Sequence, residues 1–172
     1  KGVPSDQILL GNGSDEILDM ICRVFFEPGK ENMIINTPTF GMFKVLSAIN
    51  AIECKEVQMT ADFQLDVEAV KKNVDDNTKA VFICSPNNPT GNSMNEASVL
   101  ELLKLNLLVI IDEAYIDFST SASWLLRLKE FKNLVVSQTF SKAYGLAGIR
   151  LGACYAHTEI IDLLKKVKMP YN

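Results

Sequence analysis

The sequence predicts an α/β fold: a three-layer α–β–α domain built around a mostly parallel sheet of seven strands. Two observations carry that prediction. The runs AVFIC (80–84) and LLVII (107–111) are wholly apolar, as strands covered on both faces must be. Between such runs come stretches with apolar residues three and four apart, the alternation of strand and crossover helix.

Each element has its own signal. QILLG (7–11) reads as a strand. A helix follows over about 14–26, where Ile17, Leu18, Ile21, Cys22, Val24 and Phe25 fall at helical spacing and Pro28 and Gly29 stop it. Strand MIIN (33–36), a helix over 39–49 and strand IECKEVQM (52–59) come next. Leu65, Asp66 and Val70 suggest an N-cap with an apolar staple, so a helix runs over 66–73. After strand 80–84, Ser93 and Glu96 have capping-box spacing for a helix to Lys104. Strands 107–111, NLVVSQ (133–138) and LGACYA (151–156) complete the sheet. The last helix covers 157–168, with His157 at its start reading as a cap rather than a catalytic group.

With 172 residues, 48% of them hydrophobic, the chain reads as one globular domain, 1–172. A net charge of −4 and the absence of a basic cluster argue against nucleic acid. No apolar run approaches a membrane span, and KGVPSDQILLGNG carries no signal region. Cys22, Cys54, Cys84 and Cys154 lack metal-ligand spacing and read as reduced thiols of a cytoplasmic protein. With a single histidine besides, no metal site is expected.

Ligands of open α/β sheets bind beyond the carboxyl ends of the strands. There the sequence places NGSDE, TPTF, SPNNPTG, DEAY and TFSK. Each has a plain alternative. NGSDE is an ordinary helix start that could also offer N–H groups to a phosphate, although Gly11 and Gly13 lack the third glycine of a dinucleotide fingerprint. SPNNPTG is a turn, but its amides need partners. Asp112 ends an apolar strand, where a carboxylate needs a cation that a ligand could supply. Tyr115 could simply pack.

Together these parts suit pyridoxal 5′-phosphate. Asp112 suits a protonated ring nitrogen, an amide and a phenol suit the ring oxygen, and Phe40 suits a ring face. Thr139, Ser141, Arg150 and a helix N-terminus suit the phosphate. Lys142, read as buried among cations that lower its pKa, suits covalent capture of the aldehyde.

SPNNPTG, DEAY and SQTFSKAYGLAGIRLG, in this order, resemble the fold-type-I aminotransferases. NGSDE, TPTFGMF and DEAYIDF make the chain most similar to the histidinol-phosphate aminotransferases. The resemblance covers about residues 11–172 and implies the following roles. Lys142 anchors the cofactor and moves the proton, Asp112 pairs with the pyridine nitrogen, and Tyr115 and Asn88 bond the ring oxygen. Phe40 stacks on the ring. Ser14 and Asp15, with Thr139, Ser141 and Arg150, hold the phosphate, and the Asn88–Pro89 bond can be cis. The implied reaction passes the amino group of histidinol phosphate to 2-oxoglutarate in histidine biosynthesis, in a homodimer.

The resemblance also implies a large domain alone. A small domain with a substrate-binding arginine and an N-terminal arm are missing, the 88–112 connection is short, and activity of this chain by itself would be weak. Rival readings are an aromatic or broad-range aminotransferase, a threonine-phosphate decarboxylase, and a non-catalytic aminotransferase-like domain of a regulator. A nucleotide-binding domain is the most distant.

Overall fold

The computed structural model of the chain describes residues 1–170; Tyr171 and Asn172, the end of the expected 1–172 domain, lie outside them. The elements run β1 (Ile8–Asn12), α1 (Gly13–Phe25), β2 (Asn32–Thr37), α2 (Met42–Ile49), β3 (Glu53–Gln58) and α3 (Val67–Asn73). They continue with β4 (Thr78–Cys84), α4 (Glu96–Leu103), β5 (Leu108–Asp112), β6 (Leu134–Thr139), β7 (Leu151–Ala156) and α5 (Thr158–Val167). Among the described residues no helix is long and apolar enough to cross a membrane.

Seven strands among these residues form one sheet in the order β1-β7-β6-β5-β4-β2-β3. Strands β2 to β6 pair in parallel, whereas β7 runs antiparallel to both β1 and β6. This reversal matters for the site. Because β7 enters the sheet where β6 leaves it, Thr139 pairs with Gly152, and Arg150 stands at the same edge as the carboxyl ends of the parallel strands.

Alternation along each strand sends side chains to opposite layers. Ile110 and Val135 pack under α1, α2 and α5 with Ile17, Leu18, Ile21 and Phe82. Ile111 and Val136 pack on the other face with Val70 of α3 and Val99 and Leu102 of α4. The sheet is therefore covered on both sides, as its apolar strands require.

Two caps follow the expected chemistry. Asp66 accepts from the Ala69 N–H at 2.9 Å, and His157 Nδ1 accepts from the Glu159 N–H at 3.4 Å. The Ser93–Glu96 box does not form. Asn95 precedes α4 without a side-chain cap, and Ser93 Oγ instead meets Ser119 Oγ at 3.2 Å. Gln64 holds this stretch from a distant loop, accepting from the Asn95 N–H and donating to the Ser93 carbonyl. The short 88–112 connection is satisfied by a helix of 8 residues. Cys22, Cys84 and Cys154 are buried thiols, while Cys54 is half-buried.

Gly152 lets α1 start hard against the sheet. A Cβ there would lie 2.4 Å from the Gly13 carbonyl carbon and 2.5 Å from the Ser14 nitrogen, both backbone atoms. Gly152→Ala is expected to cost about 1–3 kcal/mol through overpacking and to displace the start of α1. A denaturant midpoint equal to wild type would contradict this.

Candidate active site

One cavity of about 160 Å³ at the carboxyl edge is lined by Ser14, Asp15, Phe40, Asn88, Asp112, Tyr115, Thr139, Ser141, Lys142 and Arg150. All ten residues singled out from the sequence thus meet in one place. Cys84 and Ala114, which sequence reasoning passed over, complete the wall.

At one end lies the start of α1. No side chain caps it; the Asn12 N–H donates instead to Glu16 Oε2 at 2.6 Å. The early N–H groups of a helix in that condition attract anions. Gly13 is left-handed (φ 79°), and a Cβ on it would strike the Arg150 guanidinium at 2.6 Å, so a side chain here would push Arg150 away. Arg150 is itself left-handed (φ 50°), which costs a non-glycine residue energy. Its Nη2 lies 3.5 Å from Asp15 Oδ2, a half-exposed contact of little strength. Thr139 Oγ1 accepts from the Ser141 N–H at 3.2 Å.

At the other end Asp112 closes β5, 1% exposed. Its carboxylate accepts one hydrogen bond, from the Ala114 N–H at 3.2 Å, and no lysine or arginine among the described residues forms an ion pair with it. Burial raises its pKa from 3.8 to about 7. Ala114 opposes that shift, Asp15 and Glu113 add to it, and Lys142 opposes it weakly. Cys84 is in register beside it and donates to the Pro86 carbonyl at 3.3 Å. Burial, and then Asp112, push this thiol up to about 12, so it stays protonated.

The loops at this edge are tied down from below. Glu113 is buried and accepts from Ser123 Oγ (2.6 Å), the Trp124 N–H (2.7 Å) and Gln138 Nε2 (2.7 Å), fixing the loop that carries Tyr115 to β6. Asn87 donates to the Pro38 carbonyl and Thr90 Oγ1 and accepts from Thr39 Oγ1, joining the loops that carry Asn88 and Phe40. One of the paired asparagines is thus a brace, and the other lines the cavity. The Asn88–Pro89 bond is cis. Phe40 stands edge-on to Phe43 at 5.8 Å, and Phe43 packs against Phe82 in the core.

Lys142 departs from expectation. It is exposed, as is the whole stretch Lys142–Arg150, so it is not buried as the sequence reading supposed. The reason is the segment's place beyond the sheet edge, where no element among the described residues covers it. Its Nζ lies 5.6 Å from the centre of the Tyr115 ring, within cation–π range.

The buried Asp112 makes stability depend on pH. Unfolded, Asp112 ionises near its ordinary value; folded, it holds its proton until about pH 7. Between these values the folded chain binds the extra proton, so rising pH removes stability, on the order of a few kcal/mol. Asp112→Asn should melt with a flatter pH profile than wild type across roughly pH 4–7. Parallel profiles would contradict the burial of a lone carboxylate.

The site therefore suits a ligand with an anionic group at the α1 end, a flat ring over Phe40, a cationic nitrogen at Asp112 and an electrophile near Lys142. Known proteins resemble this chain over nearly its whole length. The family model for aminotransferase class I and II matches residues 2–172. A histidinol-phosphate aminotransferase of Flavobacterium johnsoniae is 59% identical over 167 residues, covering 96% of this chain and 48% of that protein. Among solved structures, the histidinol-phosphate aminotransferase from Clostridium acetobutylicum aligns with a TM-score of 0.87 at 27% identity, covering 96% of this chain and 50% of the other. An aspartate aminotransferase from Thermotoga maritima aligns at 0.89 and 26%, covering 97% and 47%. The chain spans about half the length of the curated relatives it matches.

Proposed function

The chain belongs to the class I and II aminotransferases, and we propose that it carries the pyridoxal 5′-phosphate site of one that passes the amino group of histidinol phosphate to 2-oxoglutarate. The observation that carries this reading is the cavity itself: it joins an anion-seeking helix start and Arg150 to a buried carboxylate that has no cation of its own. The residues present fit the cofactor at every point. Helix α1 from Ser14, with Asp15, Thr139, Ser141 and Arg150, would hold its phosphate. Phe40 would cover a ring face, Asn88 and Tyr115 would bond the ring oxygen, and Asp112 would meet the ring nitrogen.

When bound, pyridoxal phosphate supplies an aldehyde that bonds amines and a cationic ring that takes up electrons. The chain's residues do the rest. Lys142 Nζ would hold the aldehyde and would serve as the base that takes a proton from the donor's α-carbon. Lys142 is exposed, so it can swing between these tasks. The Tyr115 ring lies beside Nζ, within cation–π range. Asp112, ionised, would pair with the ring nitrogen and favour its protonated form, which would stabilise negative charge developing at the α-carbon.

The substrate proposed is the one in the name of the histidinol-phosphate aminotransferases that this chain resembles, one of them at 59% identity. The whole assembly proposed is a cytoplasmic homodimer. The exposed apolar side chains of Leu146 and Ile149, next to Arg150, suit contact with a second copy.

A donor screen tests the reading. The whole protein, supplied with pyridoxal phosphate, is offered histidinol phosphate, phenylalanine, aspartate and threonine phosphate, and the visible absorbance is followed. The reading expects histidinol phosphate to bleach it fastest. Release of carbon dioxide from threonine phosphate would point to the decarboxylase. A cofactor that binds but responds to no donor would point to a binding domain.

A further inference from the structure

Ser137 is wholly buried, and its hydroxyl has no hydrogen-bond partner among the described residues. A buried hydroxyl left unpaired is costly, so its position calls for a reason. Val135 of the same strand packs in the α1 layer and Val136 in the opposite one, so Ser137 returns to the α1 side. On β5 the same count returns Asp112 to that side, after Ile110 and Ile111. Asp112 and Ser137 are direct partners in the β5–β6 register. The row continues to Cys84 on one side and Cys154 on the other.

Side chains so placed on neighbouring strands stand about 5 Å apart at Cβ. A turn of the serine about its single side-chain torsion, which has three staggered wells, brings Oγ within reach of the neighbouring carboxylate. The groups around Asp112 leave it short of donors. Asp15 from α1 and Glu113 beside it oppose its charge, and the Cys84 thiol is committed to the Pro86 carbonyl. Lys142, from the segment after β6, is the one nearby group whose charge favours it, and weakly. Of the two neighbours of Asp112 in the row, Ser137 is the one whose donor is uncommitted.

We propose that Ser137 is a positioning residue for Asp112: its hydroxyl turns onto the carboxylate and donates to it, favouring the charged form and fixing Asp112 beneath the cavity. The importance of this pair rests on the reading of Asp112 as the partner of the cofactor's ring nitrogen, but the pair can be measured without the cofactor. The donated bond favours the charged carboxylate, so its loss must raise the pKa.

The test is the pH titration of the Asp112 side-chain carboxyl by ¹³C NMR in the full chain without cofactor, assigned by its disappearance in Asp112→Asn. Ser137→Ala should raise the midpoint by about one unit. Ser137→Thr, which keeps the hydroxyl, should hold it at the wild-type value. A merely structural serine would change the melting temperature and leave the midpoint in place. If Ser137→Ala does not fold, Ser137→Cys, close in size and a weaker donor, should raise the midpoint by less. Equal midpoints in every folded variant overturn the proposal. A serine-dependent midpoint in a chain that takes up no pyridoxal phosphate upholds the pair and sinks only the cofactor reading.

Discussion

Asp112→Asn should lose most turnover while the chain becomes no less stable without cofactor. The two effects have one cause. Asp112 is buried, and among the described residues it accepts from one N–H and pairs with no cation, so its charge is a burden until a cationic partner arrives. An asparagine of the same shape removes the burden and also the partner. Losing one member of a buried charge pair costs about 3–5 kcal/mol, or roughly 10²- to 10⁴-fold in rate. Pyridoxal phosphate should still bind through its phosphate end, because the α1 start, Thr139, Ser141 and Arg150 are untouched. The check is steady-state turnover of the whole protein with histidinol phosphate and 2-oxoglutarate, alongside thermal melting of the cofactor-free chain. Near-normal turnover would remove Asp112 from the proposed role.

Lys142→Ala should abolish the visible band that pyridoxal phosphate acquires on bonding the protein, and with it all turnover. The fold should survive, because Lys142 is exposed and makes no ion pair among the described residues. Surface substitutions of this kind usually change stability by less than about 0.5 kcal/mol. Absorbance titration and circular dichroism on the same sample separate loss of the anchor from loss of structure. A borohydride-reducible band that persists in the variant would place the anchor elsewhere.

The strands were legible because burial on both faces leaves a plain mark: AVFIC and LLVII have no polar position to spare. The direction of β7 was not legible. LGACYA reads the same in either orientation, and only pairing with β1 and β6 sets it. Local caps divided the same way. Asp66 caps α3 through its own neighbours, but the residues before α4 are held by Gln64, about 30 residues back, which no local spacing records. The ten cavity residues were legible because polar groups at strand ends have few structural uses, and their convergence on one edge follows from the topology. Cys84 and Ser137 were passed over because a small polar group inside an apolar strand looks like core. Their relation to Asp112 exists only in the register. The exposure of Lys142 was misjudged because the preceding strand is buried, and nothing in TFSKAYGLAGIR marks where the chain leaves the sheet.

The account stands on Lys142 as the covalent anchor of a cofactor held by this cavity, and one measurement addresses that directly. The chain is mixed with pyridoxal phosphate, reduced with borohydride and digested, and the peptides are mapped by mass spectrometry. The account predicts one stoichiometric adduct, on Lys142, that inorganic phosphate suppresses by competing at the start of α1. An adduct spread over surface lysines such as Lys30 and Lys104, indifferent to phosphate and leaving Lys142 unmodified, would contradict it.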